Sequence, residues 1–405
     1  MEICCSKPKI LMIILDGFSS KYMKKDMCPN LFNLAKKYYF SKLEPMFGFQ
    51  GIGAAIFSGA SSNITGIFTE FSLQKNVTLV NSGLLRVLMR LTDKIPDDDL
   101  CSMTKYMLLK LFGDKRPGIS NVIPYQIMSY FSPKIRKEFT EEKSLGNIKT
   151  IFDVLREYNM TYELQRPSYR NEIAMINSFA TRMKSSKIPD LSVIHICSLD
   201  HIGHKYGPYS SEIKYAIKKI DNHITKLIYD RRNIITIIFS DHGLIPVTNY
   251  VDLFKILKQL PLKLEKDYLI FLDSTIARFW FFNDYAKNMI RKKLSELRCG
   301  NILSKSDMKK LLIDNIGKEY GELFFALKEG YTFFPDFFRK NIPPKGMHGY
   351  AFQSYDAPII LIHAENYKDN FKKKECVKFL DITPTLLDLF KLPTLITCEG
   401  DSLLQ

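Results

Sequence analysis

The 405 residues are 46% hydrophobic and 25% charged, enough apolar content for a large buried core and too much for a disordered segment. Lysine and arginine give a formal net charge of +15, which favours anionic partners or a solvated lysine-rich surface. Eight cysteines without a C-x-x-C pair argue against a disulfide frame or a thiolate metal site, and no apolar run approaches the about 18 residues of a membrane span.

In chain order, residues 10–15 form an apolar run that ends at Asp16-Gly17. Its interruption by an acid suits a buried parallel strand better than a signal peptide, with Asp16 at the strand's carboxyl end or capping the next segment. Pro29 opens a short helix and residues 39–43 suggest a second strand. Gly48, Gly51 and Gly53 form a glycine-rich turn before a small-residue helix, an arrangement whose free N–H groups suit a phosphate oxygen. Residues 73–145 break the rhythm with apolar residues at helical spacing in 84–91 and 106–112, and read as a mainly helical insertion. Helices at 148–158 and 172–183 follow, then a strand at 191–198 running directly into Asp200 and His204, four positions apart on what reads as a tight loop around Gly203.

A long amphipathic helix at 211–229 leads to the β-branched strand 234–239 and to Ser240-Asp241-His242-Gly243. Residues 249–344 change to short strands and helices, the pattern of a small α+β cap. Gly346-Met347-His348-Gly349 then brings a third imidazole back, 358–362 reads as a last sheet strand, and a closing helix starts near Pro384. The fold class is therefore α/β, a mostly parallel central sheet with helices on both faces.

Collected from the strand ends and the loops that follow them, Asp16, Asp200, His204, Asp241, His242 and His348 are three carboxylates and three imidazoles. Such a set suits divalent ions, zinc first and manganese as the alternative, and six ligands suit two ions better than one. Two ions clamp an in-line displacement at phosphorus, so the set points to phosphoester chemistry.

The ordered blocks Ile14-Leu15-Asp16-Gly17, Pro29-Asn30-Leu31, Phe57-Ser58-Gly59, Asp200-His201-Ile202-Gly203-His204, Ser240-Asp241-His242-Gly243, Met347-His348-Gly349-Tyr350 and Asp381-Ile382-Thr383-Pro384 resemble the type I phosphodiesterase/nucleotide pyrophosphatase branch of the alkaline phosphatase superfamily. The resemblance implies an alkaline phosphatase-like fold in which Asp200, His204 and His348 hold one metal while Asp16, Asp241 and His242 hold the other. It also implies a core at 1–248 and 345–405, with the 73–145 insertion inside it and the cap at 249–344.

One position departs from the family pattern. Members place a Thr or Ser nine residues before a Thr-Gly pair and an Asn three later; counting back from Ser58-Gly59 gives Phe49, with Gln50 beside it and Ile52 at the Asn position. Neither Phe nor Gln can form a covalent intermediate. Three readings stay open: one-step attack by a hydroxide at the metals or by an acceptor alcohol, with Gln50 nearby as a donor or weak ligand; a substitute hydroxyl from Ser58, Ser61, Ser62 or Thr65; or binding of metal and phosphate ester without turnover. The sulfatase Cys-x-Pro-x-Arg pattern is absent, since Pro29 follows Cys28 at once.

Lys205 and Tyr206 are candidate phosphate contacts. His195 reads as a core histidine, His201 as solvated or beside the site, and His223 and His363 as structural or solvated. The expected ligand is a small anionic phosphoester, with no specific nucleic acid partner and no transmembrane segment. The expected location is cytoplasmic, and a basic, apolar helix in the insertion is compatible with peripheral membrane contact. Function on this reading is metal-dependent phosphoester hydrolysis or phosphotransfer, with a catalytically silent binding protein of the same fold as the alternative.

Overall fold

Strand β1 (Lys9–Leu15) is the axis of the fold. In the computed structural model, which describes residues 8–48, 50–74, 83–113, 122–135, 137–166, 171–182, 188–229, 234–352, 359–363, 371, 372, 374 and 376–404, β1 is an interior strand of a seven-stranded sheet. The other strands are β2 (Tyr39–Leu43), β3 (Tyr162–Gln165), β4 (Leu191–Ile196), β5 (Ile234–Phe239), β6 (Ile359–His363) and β7 (Cys376–Val377), in the order β7-β2-β6-β5-β1-β4-β3. β1 is parallel to β4 and β5, whereas β6 runs antiparallel to β5 and β2, so the sheet is mixed.

β1, β4 and β5 are predominantly apolar because both sheet faces are covered. Alternation along β1 sends Ile10, Met12 and Ile14 into one hydrophobic cluster and Leu11, Ile13 and Leu15 into another. On the first side lie α2 (Gln50–Ser58), α3 (Ile151–Glu157) and α7 (Ile382–Leu389), which contribute Phe57, Phe152 and Leu386. On the second lie α1 (Pro29–Lys37), α4 (Glu172–Arg182), α5 (Ser198–Tyr206) and α6 (Ser211–Tyr229), with Leu31, Phe179, Leu199 and Ile217. α3 starts where Thr150 and Asp153 form a reciprocal capping box.

A second, four-stranded antiparallel sheet is built from Tyr268–Asp273, Ile276–Phe281, Leu323–Leu327 and Gly300–Ile302, in that spatial order. Helices Gly83–Thr92 and Asp98–Leu111 share its hydrophobic core through Leu85, Met89 and Leu109. Strand Phe131–Pro133 pairs antiparallel with Phe71–Leu73.

Several elements differ from the sequence expectation. Gly51 and Gly53 lie inside α2, which begins at Gln50, instead of in a turn ahead of it. Asp200 and His204 sit on helix α5, not on a loop. The edge strand β3 had no apolar run to reveal it: its four residues are all half-buried. His363 belongs to β6 itself and is buried, with its ring 4.3 Å from that of Tyr38.

Candidate active site

Three neighbouring parallel strands deliver the carboxylates to one edge. Leu15 pairs with Ile196 and Ile14 with Phe239, so Asp16, the start of α5 and Asp241 emerge together beyond the carboxyl ends, where α/β sheets bind ligands. Gly17 adopts φ +75°, and a Cβ there would lie 3.0 Å from the Asp200 Cα; only glycine lets the turn after β1 pass so close. α5 is fixed at its start by Glu172, whose Oε1 accepts the N–H groups of Cys197 at 2.6 Å and Ser198 at 2.9 Å. A carboxylate at a helix N-terminus complements the dipole, although burial pushes the Glu172 carboxyl up. Asp200 and His204, four apart, therefore share one helical face. His348 arrives on the short strand Gly346–Met347, paired with Ile245–Pro246, and a Cβ on Gly346 would come within 2.6 Å of the Gly203 carbonyl of α5.

Two triads result: Asp200, His204 and His348, and Asp16, Asp241 and His242, the ligand atoms of each lying within 4.8 Å of one another. His204 Nε2 is 3.1 Å and His348 Nε2 3.6 Å from Asp200 Oδ1. His242 Nε2 is 3.1 Å from Asp16 Oδ1 and 3.8 Å from Asp241 Oδ2. The triads adjoin, because the His242 and His348 rings stack with centroids 3.6 Å apart.

The hydrogen bonds select a tautomer that suits metal binding. His204 Nδ1 donates to the Gly346 carbonyl at 2.7 Å and His242 Nδ1 to the Gly243 carbonyl at 3.1 Å. With Nδ1 donating, the Nε2 of each ring is the atom turned toward a carboxylate, and that pairing needs a proton or a cation between the two. Asp16 Oδ1 and Asp200 Oδ1 are buried without a hydrogen bond among the described residues. The set thus fits divalent ions of the zinc or manganese kind.

The same crowding shifts the titrations. Burial and then the Asp16 charge raise Asp241 to about 6. Burial also opposes ionisation of Asp16 and Asp200, but the imidazoles beside them outweigh it, holding Asp16 well below the carboxylate range and Asp200 at about 2. Burial lowers His242 less than Asp241 and Asp16 raise it, to about 10, while burial and the His242 charge put His348 well below the usual imidazole value.

The triads open into a cavity of about 580 Å³. Its far wall is apolar, with Ile52, Ile56 and Phe57 of α2 and Phe139, and its rim carries Lys137, Glu138, Glu141 and Arg166. Gly53 lets α2 pack closely on Phe139, since a Cβ there would meet the Phe139 ring at 3.0 Å. The Arg166 guanidinium lies 5.7 Å over the same ring.

Sequence reasoning missed this wall and misjudged His195. The imidazole Nε2 lies 3.2 Å from Asp16 Oδ2, and His195 lines the cavity. An imidazole in the largely apolar strand β4 was the available signal, but its meaning depends on β1 being the neighbouring strand. Ile52, at the family's Asn position, faces the cavity. Phe49 and the side chain of Gln50 lie outside the described residues. Ser58 donates to the Ala54 carbonyl and Thr65 to the Ser61 carbonyl, and Ser58, Ser61, Ser62 and Thr65 are absent from the cavity lining. Lys205 and Tyr206 are exposed on α5, outside that lining, with the Lys205 amine 5.2 Å over the Tyr206 ring.

A carboxylate and imidazole cluster at this sheet edge, in this fold, marks a phosphoester hydrolase or transferase. The fold is similar to human ectonucleotide pyrophosphatase/phosphodiesterase 5, with a TM-score of 0.68 and 15% identity over 97% of both chains. It is equally similar to the murine protein of that name in an inactive threonine-to-alanine variant bound to AMP, with a TM-score of 0.67 and 16% identity over 98% of this chain and 100% of the other. A 63-residue stretch is 35% identical to GPI ethanolamine phosphate transferase 2 of Candida glabrata, covering 15% of this chain and 8% of that protein. The type I phosphodiesterase/nucleotide pyrophosphatase family model matches residues 122–351, and the chain belongs to that family. The family is typically dependent on divalent metals.

Proposed function

We propose that the chain is a two-metal phosphoester hydrolase or phosphotransferase acting preferentially on diesters without a covalent enzyme intermediate. The observation that carries this is the pair of adjoining triads whose imidazole lone pairs and carboxylates face each other around one cavity. Asp200, His204 and His348 would hold one ion and Asp16, Asp241 and His242 the other. Bound there, zinc or manganese would stabilise charge on the phosphoryl oxygens and make a neutral-pH nucleophile available.

The chain's own groups orient the reaction. Gly346 and Gly243 carbonyls fix the imidazole tautomers, Glu172 anchors the helix bearing Asp200 and His204, and the apolar wall excludes water from one side of the substrate. Oxygen from water or an acceptor alcohol forms the new P–O bond as the bond to the leaving alkoxide breaks; the nucleophile's proton goes to solvent and the alkoxide takes one back. In this division of labour, residues 1–248 and 345–405 carry the chemistry, while the 73–145 insertion and the 249–344 unit choose the substrate. Lys205 and Tyr206 would touch only a substrate portion that extends out of the cavity, and Gln50 would act as a donor beside it.

A second reading, a silent metal and phosphate-ester binding protein, is favoured by one observation: apolar Ile52 faces the cavity at the family's Asn position. Hydrolysis of bis(p-nitrophenyl) phosphate and p-nitrophenyl phosphate with added zinc or manganese, beside Asp241→Ala, separates the two. Metal-dependent turnover that favours the diester and disappears in the variant supports the enzyme. Tight metal and phosphate-ester binding with no turnover of either compound supports the silent protein.

A further inference from the structure

The hairpin of helices Gly83–Thr92 and Asp98–Leu111 is apolar on two sides. Its inner residues Leu85, Met89, Cys101 and Leu109 are buried. The first helix also exposes Leu84, Val87 and Leu91, between 55% and 61% accessible, at a spacing of three and four that defines a single stripe. The second repeats the pattern with Leu100, Met103, Met107 and Leu111, between 47% and 80% accessible. Isolated exposed leucines are ordinary, but two adjacent stripes of this kind call for a covering partner.

The charges nearby choose the partner. Arg90 and Lys110 are exposed on the same helices, the latter with its amine 5.5 Å over the Tyr106 ring. Of the nearby acids, Asp93 is ion-paired with buried Lys105, while Asp97 caps the second helix through the Leu100 N–H, Asp98 accepts from Asn341 and from the Lys340 N–H, and Asp99 is exposed, all three at that helix's start and away from its Lys110 end. An apolar stripe flanked by cations, on a chain with net charge +15, complements an anionic lipid surface. The second helix also begins near the active site: Asp98 accepts from the Lys340 N–H, and the adjacent Arg339 reaches the sulfur of Met347, the residue before His348.

We propose that the outer face of this hairpin docks on anionic phospholipid membranes. On the reading of the site as a phosphoester enzyme, docking presents the cavity to phosphoesters in the headgroup layer. Binding itself does not depend on that reading, so the two can fail separately.

The test is co-sedimentation of the full chain with vesicles of phosphatidylcholine alone or with about 30% phosphatidylserine, beside the combined variant Leu84→Ser, Val87→Ser, Met107→Ser. Circular dichroism and thermal unfolding establish that the variant is folded. The expected result is binding to the phosphatidylserine vesicles, weakened by about 0.5 M salt and reduced about tenfold or more in the variant. Absence of wild-type binding, or equal binding by a folded variant, overturns the proposal. So does a wild-type dimer that the variant dissolves without any vesicle binding, which would assign the stripes to a second copy of the chain.

Discussion

Replacing Asp241 by asparagine should change stability in opposite directions with and without metal. In the metal-free protein, burial and the Asp16 charge move the Asp241 carboxyl from its ordinary 3.8 to about 6. At 1.36 kcal/mol per unit, keeping this group ionised above pH 6 costs the folded state up to about 3 kcal/mol relative to the unfolded chain. The sign follows from proton binding: the folded state holds the proton more tightly, so the protonated carboxyl's stabilising contribution is fully present below about pH 4 and is lost, as the cost of ionisation appears, while pH rises toward and through 6. The asparagine amide has no charge to maintain, so after chelation Asp241→Asn should unfold at a higher temperature than wild type at pH 7.5, and at about the same temperature at pH 4. With saturating zinc the order should reverse, because the wild type gains binding free energy through a carboxylate that the amide replaces poorly. Thermal unfolding with and without chelator reads both arms. A chelated variant less stable than wild type at pH 7.5, or equal stabilisation of both proteins by zinc, would refute the reasoning.

Other outcomes follow from individual contacts. His204→Ala and His348→Ala should each lower bound zinc by about one equivalent while the Asp16 triad stays loaded, as read by metal analysis after dialysis. His195→Ala should weaken one class of metal site about 10- to 100-fold in chelator competition, and His195→Gln, which keeps a donor for Asp16 Oδ2, should recover part of the loss. Gly17→Ala must carry a side chain at φ +75° and within 3.0 Å of Asp200 Cα; it should cost about 1–3 kcal/mol in urea unfolding and lower metal affinity together.

How much of this was legible depended on the range of the interaction. The strands ending at Asp16 and Asp241 were readable because a parallel strand buried on both faces must be a continuous apolar run, and the residue after it must lie at the sheet edge. The Asp200 and His204 pair was readable as a spacing but not as a helix. α5 has only nine residues with a glycine inside, and its start is held by Glu172, which is remote in sequence. The link from His195 to Asp16 needed the order of strands, which periodicity does not contain. The cavity wall needed Phe139, Arg166 and α2 to meet, a product of tertiary packing alone. The family blocks supplied what local pattern could not, the division of six ligands into two sets, and the structure brings each set together within 4.8 Å.

The central claim is that both triads bind metal. Anomalous scattering at the zinc edge, from crystals grown with zinc, tests it most directly. The account expects two peaks, one among Asp200, His204 and His348 and the other among Asp16, Asp241 and His242. A single peak, or two peaks elsewhere on the chain, would contradict it.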